Sequence, residues 1–194
     1  MGFFDGRAVP AEHEPDRPEF VDLGPAGSGH GDDGPPADRY LPTVLPRVAQ
    51  VAEGPRVRVV FTGWEVWPEE VTLCLQIFWR RRRTDEVYGD AWYARPGAGA
   101  LRVSLRLADG RRVTTLDESG ERPLTLREYG TDPGGAFHRP VRLLLSEVPD
   151  DGPLTLTLEW PDEGIAETAA ALDTSGLGEA ARRVVEIWPE RSGL

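Results

Sequence analysis

Few residues in this chain have the type and spacing that chemistry requires. Its one cysteine, Cys74, sits mid-strand among apolar neighbours, where a cysteine behaves as a small hydrophobe rather than a thiolate nucleophile. No serine occupies a Gly-x-Ser-x-Gly turn, and the chain contains no lysine to act as base or Schiff-base former. Phosphate-loop and dinucleotide fingerprints are absent as well. The three histidines are His13, His30 and His138. His30 lies beside Asp32 and Asp33, and His138 follows Asp132 by six residues, but neither spacing is that of a metal cage. Asp150-Asp151 and Asp162-Glu163 bracket a strand about 20 Å long at roughly 3.3 Å per residue, so they cannot share an ion. No catalytic residue, cofactor or metal ligand is therefore expected, and the chain is not expected to be an enzyme.

What remains is contact chemistry. Arg80, Arg81, Arg82 and Arg83 form the one basic run, directly after an apolar strand ending at Trp79. A charged strand end that blocks unwanted pairing is its plain meaning; an anion or acidic-partner contact is the sharper one. Trp64, Trp92 and Tyr93 are less clearly in phase with a core and complete the expected partner-contact set. The Trp-Pro pairs at 67, 160 and 188 are expected to close core ends, the proline stopping each element.

Charge and composition narrow the partners. The net charge is −11, of which residues 1–40 carry −6. An acidic balance argues against nucleic acid and against anionic membrane surfaces, both of which are bound through cationic contacts. An acidic tail folding back on the arginine run as a shield is one consequence to consider. One cysteine allows no internal disulfide. Residues 1–16 lack a basic then apolar leader, and no eighteen apolar residues run together. A cytoplasmic setting is the expectation.

The elements that would position these residues are mostly strands. Residues 1–40 read as a disordered acidic Pro/Gly-rich tail, because Asp22 to Asp38 is almost wholly Gly, Pro, Ala, Asp and Ser. Leu41 to Val51 is interrupted by Pro42 and Pro46 and predicts an extended or one-turn helical segment. Period-two alternation then marks strands at Val57–Phe61, Val71–Trp79, Leu101–Leu107, Val141–Leu145 and Leu154–Trp160. Asp109-Gly110 predicts a hairpin of type I′ returning through Arg111 to Leu116. Ile165 to Leu172 is a last strand. Leu177, Ala181, Val184, Val185 and Trp188 recur at helical spacing, predicting a C-terminal α-helix over about 174–188 capped by Thr174 or Ser175. The fold expected is a mainly β, immunoglobulin-like antiparallel β-sandwich over 41–190, with inserts at 80–100 and 117–139.

The runs Gly152-Pro153-Leu154, Glu159-Trp160-Pro161, Gly164-Ile165 and Glu167-Thr168, with Trp188-Pro189-Glu190, are joined by Leu107 to Leu116 and Thr62-Gly63 with Trp67-Pro68. Together they resemble a family of small uncharacterised actinobacterial proteins with a C-terminal EWP-x-x-GI-x-ET motif. The likeness covers roughly 40–190 and is most specific over 152–190. It implies a shared fold and a cytoplasmic life and carries over no activity and no site residue. The short inserts of this chain depart from that pattern.

The function expected is a non-enzymatic protein-interaction or accessory module with an unidentified protein partner, and a homo-oligomer is compatible with open sheet edges. Two alternatives belong to other classes. One is a small acidic immunity or antitoxin-like inhibitor of a basic effector. The other is a ligand or enzymatic site in the two inserts, built on Tyr129, Asp132 and His138.

Overall fold

The computed structural model describes residues 35–81, 100–116, 124–129 and 137–188. Among the described residues, eleven strands and one short α-helix follow one another: β1 (Tyr40–Leu41), β2 (Thr43–Glu53), β3 (Val57–Val66), β4 (Val71–Trp79), β5 (Arg102–Arg106), β6 (Arg112–Thr114), β7 (Leu126–Glu128), β8 (His138–Leu145), β9 (Leu154–Trp160), β10 (Ile165–Leu172), α1 (Leu177–Ala181) and β11 (Val185–Glu186). A five-stranded sheet runs β2-β3-β4-β8-β7 and a four-stranded sheet runs β10-β9-β5-β6. Every pairing in them is antiparallel. Their inward side chains merge into one core, the arrangement of a β-sandwich. Trp79 of β4 meets Trp160 of β9 edge-on across it, with ring centroids 6.3 Å apart.

The alternating strands form where period two places them. On β4, Val71, Leu73, Leu75 and Ile77 point inward and are buried, while Gln76 and Phe78 face out. β9 buries Leu154, Leu156, Leu158 and Trp160 in the same way. A fully buried leucine contributes roughly 2 kcal/mol of apolar transfer energy, so these rows dominate stability. The β5–β6 hairpin also forms as expected, with Leu105 opposite Val113. Its turn differs in type: the Gly110 N–H returns to the Leu107 carbonyl at 3.0 Å, and Gly110 sits at φ 89°. The glycine thus ends a turn that begins at Leu107, a bulged hairpin connection rather than a two-residue one.

Residues 41–53 are straighter than expected. β2 is an edge strand of the five-stranded sheet, where Pro46 needs no ladder donor, and the register shifts between Pro46 and Ala49. β1 pairs not with β2 but with β11, Leu41 opposite Val185.

One expectation is corrected by the fold. The helix expected over 174–188 is a single turn, Leu177–Ala181, and only Leu177 and Ala180 of it are buried. Gly176, at φ 83°, is its N-cap with no side-chain bond, whereas the Thr174 hydroxyl is spent on the backbone of Gly152. Val185 joins β11 with 56% exposure and Trp188 is 75% exposed, so neither packs on the sandwich. A helix this short gains little by itself, and long-range pairing with β1 overrides the local pattern. The tail expected over 1–40 lies outside the described residues up to 34; residues 36–40 already belong to the fold, with the Tyr40 N–H bonded to the Pro36 carbonyl. No helix among the described residues is long and apolar enough to cross a membrane.

Candidate functional site

The connection between β2 and β3 is Gly54-Pro55-Arg56, closed by a Gly54 N–H bond to the Val57 carbonyl at 3.0 Å. A β-carbon on Gly54 would stand 2.4 Å from the Glu163 carbonyl oxygen. Only glycine lets the 3-10 turn Pro161–Glu163 pack this closely. Antiparallel register then places Val57 opposite Trp79 and Arg58 opposite Phe78. The Arg80 N–H continues the ladder to the Arg56 carbonyl at 2.8 Å. Arginines distant in sequence are thereby gathered at one end of the hairpin.

The result is a cleft of about 400 Å³ lined by Pro55, Arg56, Arg58, Phe78, Trp79 and Arg80. Phe78 is 43% exposed and stacks on His138 of the neighbouring strand, ring centroids 6.1 Å apart and planes 24° apart. Trp79 is fixed from below, its indole N–H donating to Glu163 Oε1 at 3.2 Å. Arg58 is fixed as wall: its guanidinium donates to the Gly54 carbonyl at 2.6 Å and meets Glu53 at 3.2 Å. Arg56, Arg80 and Arg81 are exposed, and among the described residues none of them forms an ion pair. Against Glu53 and Glu163 the local balance stays positive in a chain of net −11. Unpaired guanidinium groups beside an open aromatic face can hold a carboxylate and stack on a planar or apolar side chain at once.

A second polar cluster lies on the outer face of the same sheet, toward the β3–β4 turn. Register sets Glu65 beside Thr72 and Cys74 beside Arg142. The Trp67 indole donates to Thr72 Oγ1 at 3.1 Å, Thr72 and Tyr129 hydroxyls meet at 2.9 Å, and Tyr129 donates to Glu65 at 3.2 Å. Tyr129 has one proton and gives it to Glu65, so Thr72 donates to Tyr129. Arg142 stands 3.8 Å from the other Glu65 oxygen. Burial first, and then the Glu65 charge, push the Cys74 thiol up to about 12, and burial likewise raises the Tyr129 phenol. Both stay protonated at neutral pH, so the thiol is no nucleophile. A pocket of about 220 Å³ opens here, lined by Thr62, Glu65, Cys74, Gln76 and Arg142 among others.

The expected contact residues separate. Arg80 lines the cleft, and Arg81 follows it in the chain, exposed. Trp64 is not at the cleft: it is 1% exposed, packs edge-on against Phe61 at 5.2 Å, and donates its indole N–H to the Asp173 carbonyl at 3.0 Å. The cause is a bulge at Thr62-Gly63, where pairing slips from Phe61–Leu75 to Gly63–Cys74 and exchanges inward for outward positions. Gly63, at φ 139°, is held there because a β-carbon would meet the Leu45 carbonyl oxygen at 2.3 Å. Arg82, Arg83, Trp92 and Tyr93 lie outside the described residues. Tyr129 and His138 do not converge either. Tyr129 hydrogen-bonds Arg142 through its backbone, four residues or about 13 Å along β8 from His138; Asp132 lies outside the described residues. Arg56, Arg58 and Phe78 were missed. Taking Trp67-Pro68-Glu69-Glu70 as a hairpin turn, which the Trp67 N–H bond to the Glu70 carbonyl at 2.9 Å closes, brings them to the same end of β3 and β4; the bulge at Thr62-Gly63 then shifts the register by one and sets Arg58 opposite Phe78.

In comparisons with known proteins the chain matches no protein-family model, no curated protein and no solved structure.

Proposed function

We propose that this chain is a non-enzymatic protein-interaction module, built on a sandwich of immunoglobulin-like arrangement, that holds an acidic segment bearing an aromatic or apolar side chain in the arginine-aromatic cleft. The observation that carries this is the pairing of Arg56 and Arg80, exposed and without ion pairs among the described residues, with the open ring of Phe78. Cations left unpaired in an acidic protein are available to a partner. The sign of the cleft favours an acidic partner over the basic effector that an immunity-like inhibitor would require.

The test is fluorescence anisotropy with a labelled peptide of alternating Glu and Phe, and a control in which Gln replaces Glu. The chain is used with Glu12, Glu14, Asp16, Glu19 and Asp22 changed to Gln or Asn, so that its own acids do not compete. The expected result is binding of the acidic probe alone, weakened at least about tenfold, or 1.4 kcal/mol, when Arg56→Glu and Arg80→Glu are added. Equal affinity with and without the charge reversal overturns the proposal.

A further inference from the structure

Residues 1–34 carry eight acids and two arginines, a charge of −6. Five of those acids, Glu12, Glu14, Asp16, Glu19 and Asp22, fall within eleven residues. This stretch holds the one aromatic of residues 1–34 with an acid on either side, in Glu19-Phe20-Val21-Asp22. That is the chemistry the cleft accepts: a ring for the face of Phe78 and carboxylates for Arg56 and Arg80.

Reach selects the same stretch. The first described residues precede β1, and β2 begins opposite the Val66 end of β3, Thr43 facing Val66. The cleft is at the other end, beside Val57. A ten-residue strand separates the two, about 30 Å at roughly 3.3 Å per residue. Asp32 and Asp33 stand two or three residues from Pro35 and reach at most about 10 Å, so they cannot arrive. Phe20 lies fifteen residues before Pro35 and reaches up to about 50 Å when extended. It spans the distance with slack. Phe3 and Phe4 also reach, but Asp5 is their only neighbouring acid, whereas Glu19 and Asp22 flank Phe20; an arginine, Arg7 or Arg17, lies two residues from an acid in both places.

We infer that in the free chain the cleft is occupied by the chain's own residues 19–22, Phe20 lying against Phe78 with Glu19 and Asp22 turned to Arg56 and Arg80. The inference rests on the acidic-segment reading of the cleft and adds its first occupant: a partner must displace this segment. A tethered segment acts at an effective concentration of order millimolar, so even a weak contact competes with a partner. The contact is charge-based and weakens with salt. A second pair of arginines, Arg106 opposite Arg112 on β5–β6, has neither an ion pair nor an aromatic partner among the described residues and serves as the control surface.

The experiment compares amide ¹H–¹⁵N spectra and affinity for the Glu/Phe probe across full-length variants. Glu19→Gln, Phe20→Ala and Asp22→Asn together should shift the amides of Arg56, Phe78 and Arg80 and raise probe affinity several-fold. Arg106→Glu with Arg112→Glu should leave both readouts unchanged. If the probe binds through Arg56 and Arg80 but the tail substitutions move neither spectrum nor affinity, self-occupancy is overturned and the interaction reading stands. If no variant binds the probe, including the one lacking all five acids, both fall. Loss of the effect only on reversing Arg106 and Arg112 would place the tail on the other surface and also overturn the inference.

Discussion

The two ends of the β3–β4 hairpin treat polar groups in opposite ways. At the turn end, Trp67, Thr72, Tyr129 and Glu65 form one continuous chain of donors and acceptors, with Arg142 as an ion-pair partner of Glu65, and the protonated Cys74 thiol lines the pocket beside it. At the open end, Arg56 and Arg80 meet no carboxylate among the described residues, and Phe78 leaves 43% of its surface exposed. Side chains that satisfy one another stabilise the sheet and have nothing left to offer a ligand. Side chains left unsatisfied add little to stability and keep their capacity for a partner. The comparison therefore predicts that stability and binding respond to different residues, and it is sharpest when tested from the largest stability effect down.

Trp64→Ala should cost most. The indole is enclosed against Phe61 and bonded to the Asp173 carbonyl, and truncating a buried aromatic costs about 3–5 kcal/mol. Urea denaturation measures it. A change under about 1 kcal/mol would mean that Trp64 lies at the surface after all.

Glu128 on β7 should show next, through pH. Burial raises its carboxyl to about 7, against the pull of the Arg139 charge. The folded state therefore holds this proton more tightly than the unfolded chain does. Its contribution to stability is greatest below pH 4.5 and declines as pH rises toward 7, by at most about 3 kcal/mol. Glu128→Gln should match the parent near pH 4.5 and exceed it by about 2 kcal/mol at pH 8. A difference between variant and parent that does not change over this range would contradict the burial of the carboxyl. Comparing the two at each pH cancels the opposite trend of Asp109 and Asp173, whose carboxyls their hydrogen bonds hold low.

Tyr129→Phe removes the hydroxyl that joins Thr72 to Glu65 and should cost about 1–2 kcal/mol. The loss should not add to that of Glu65→Gln, because both break the same chain. Full additivity in a double-mutant cycle would show that the hydroxyl and the carboxylate act separately.

These differences also mark what could be read from residue order. The β5–β6 hairpin and β9 were legible because unbroken alternation decides the buried face locally. Trp64 was not, because the bulge at Gly63 changes the phase within the strand, and its cause is a close approach to Leu45 from another strand. The C-terminal residues carry helical spacing, yet Val185 and Glu186 pair with β1 almost 150 residues away. Local periodicity holds no record of such a partner. The cleft was half legible: Arg80 stands out within a basic run, but Arg56 and Phe78 join it only through strand register.

Phe78→Ala should have the smallest effect on stability, and this is the prediction that separates the two ends. The ring is 43% exposed, so truncation loses far less transfer energy than at a buried aromatic, about 1 kcal/mol including its stack on His138. A protein that needed Phe78 only for folding would lose stability and probe affinity together. A protein that keeps the ring for a partner would lose probe affinity by about tenfold or more with its denaturation midpoint nearly unmoved. Tyr129→Phe should give the reverse, a lower midpoint at unchanged probe affinity. Measured side by side, the pair distinguishes a surface held open for a ligand from one closed upon itself, because neither outcome follows from global destabilisation.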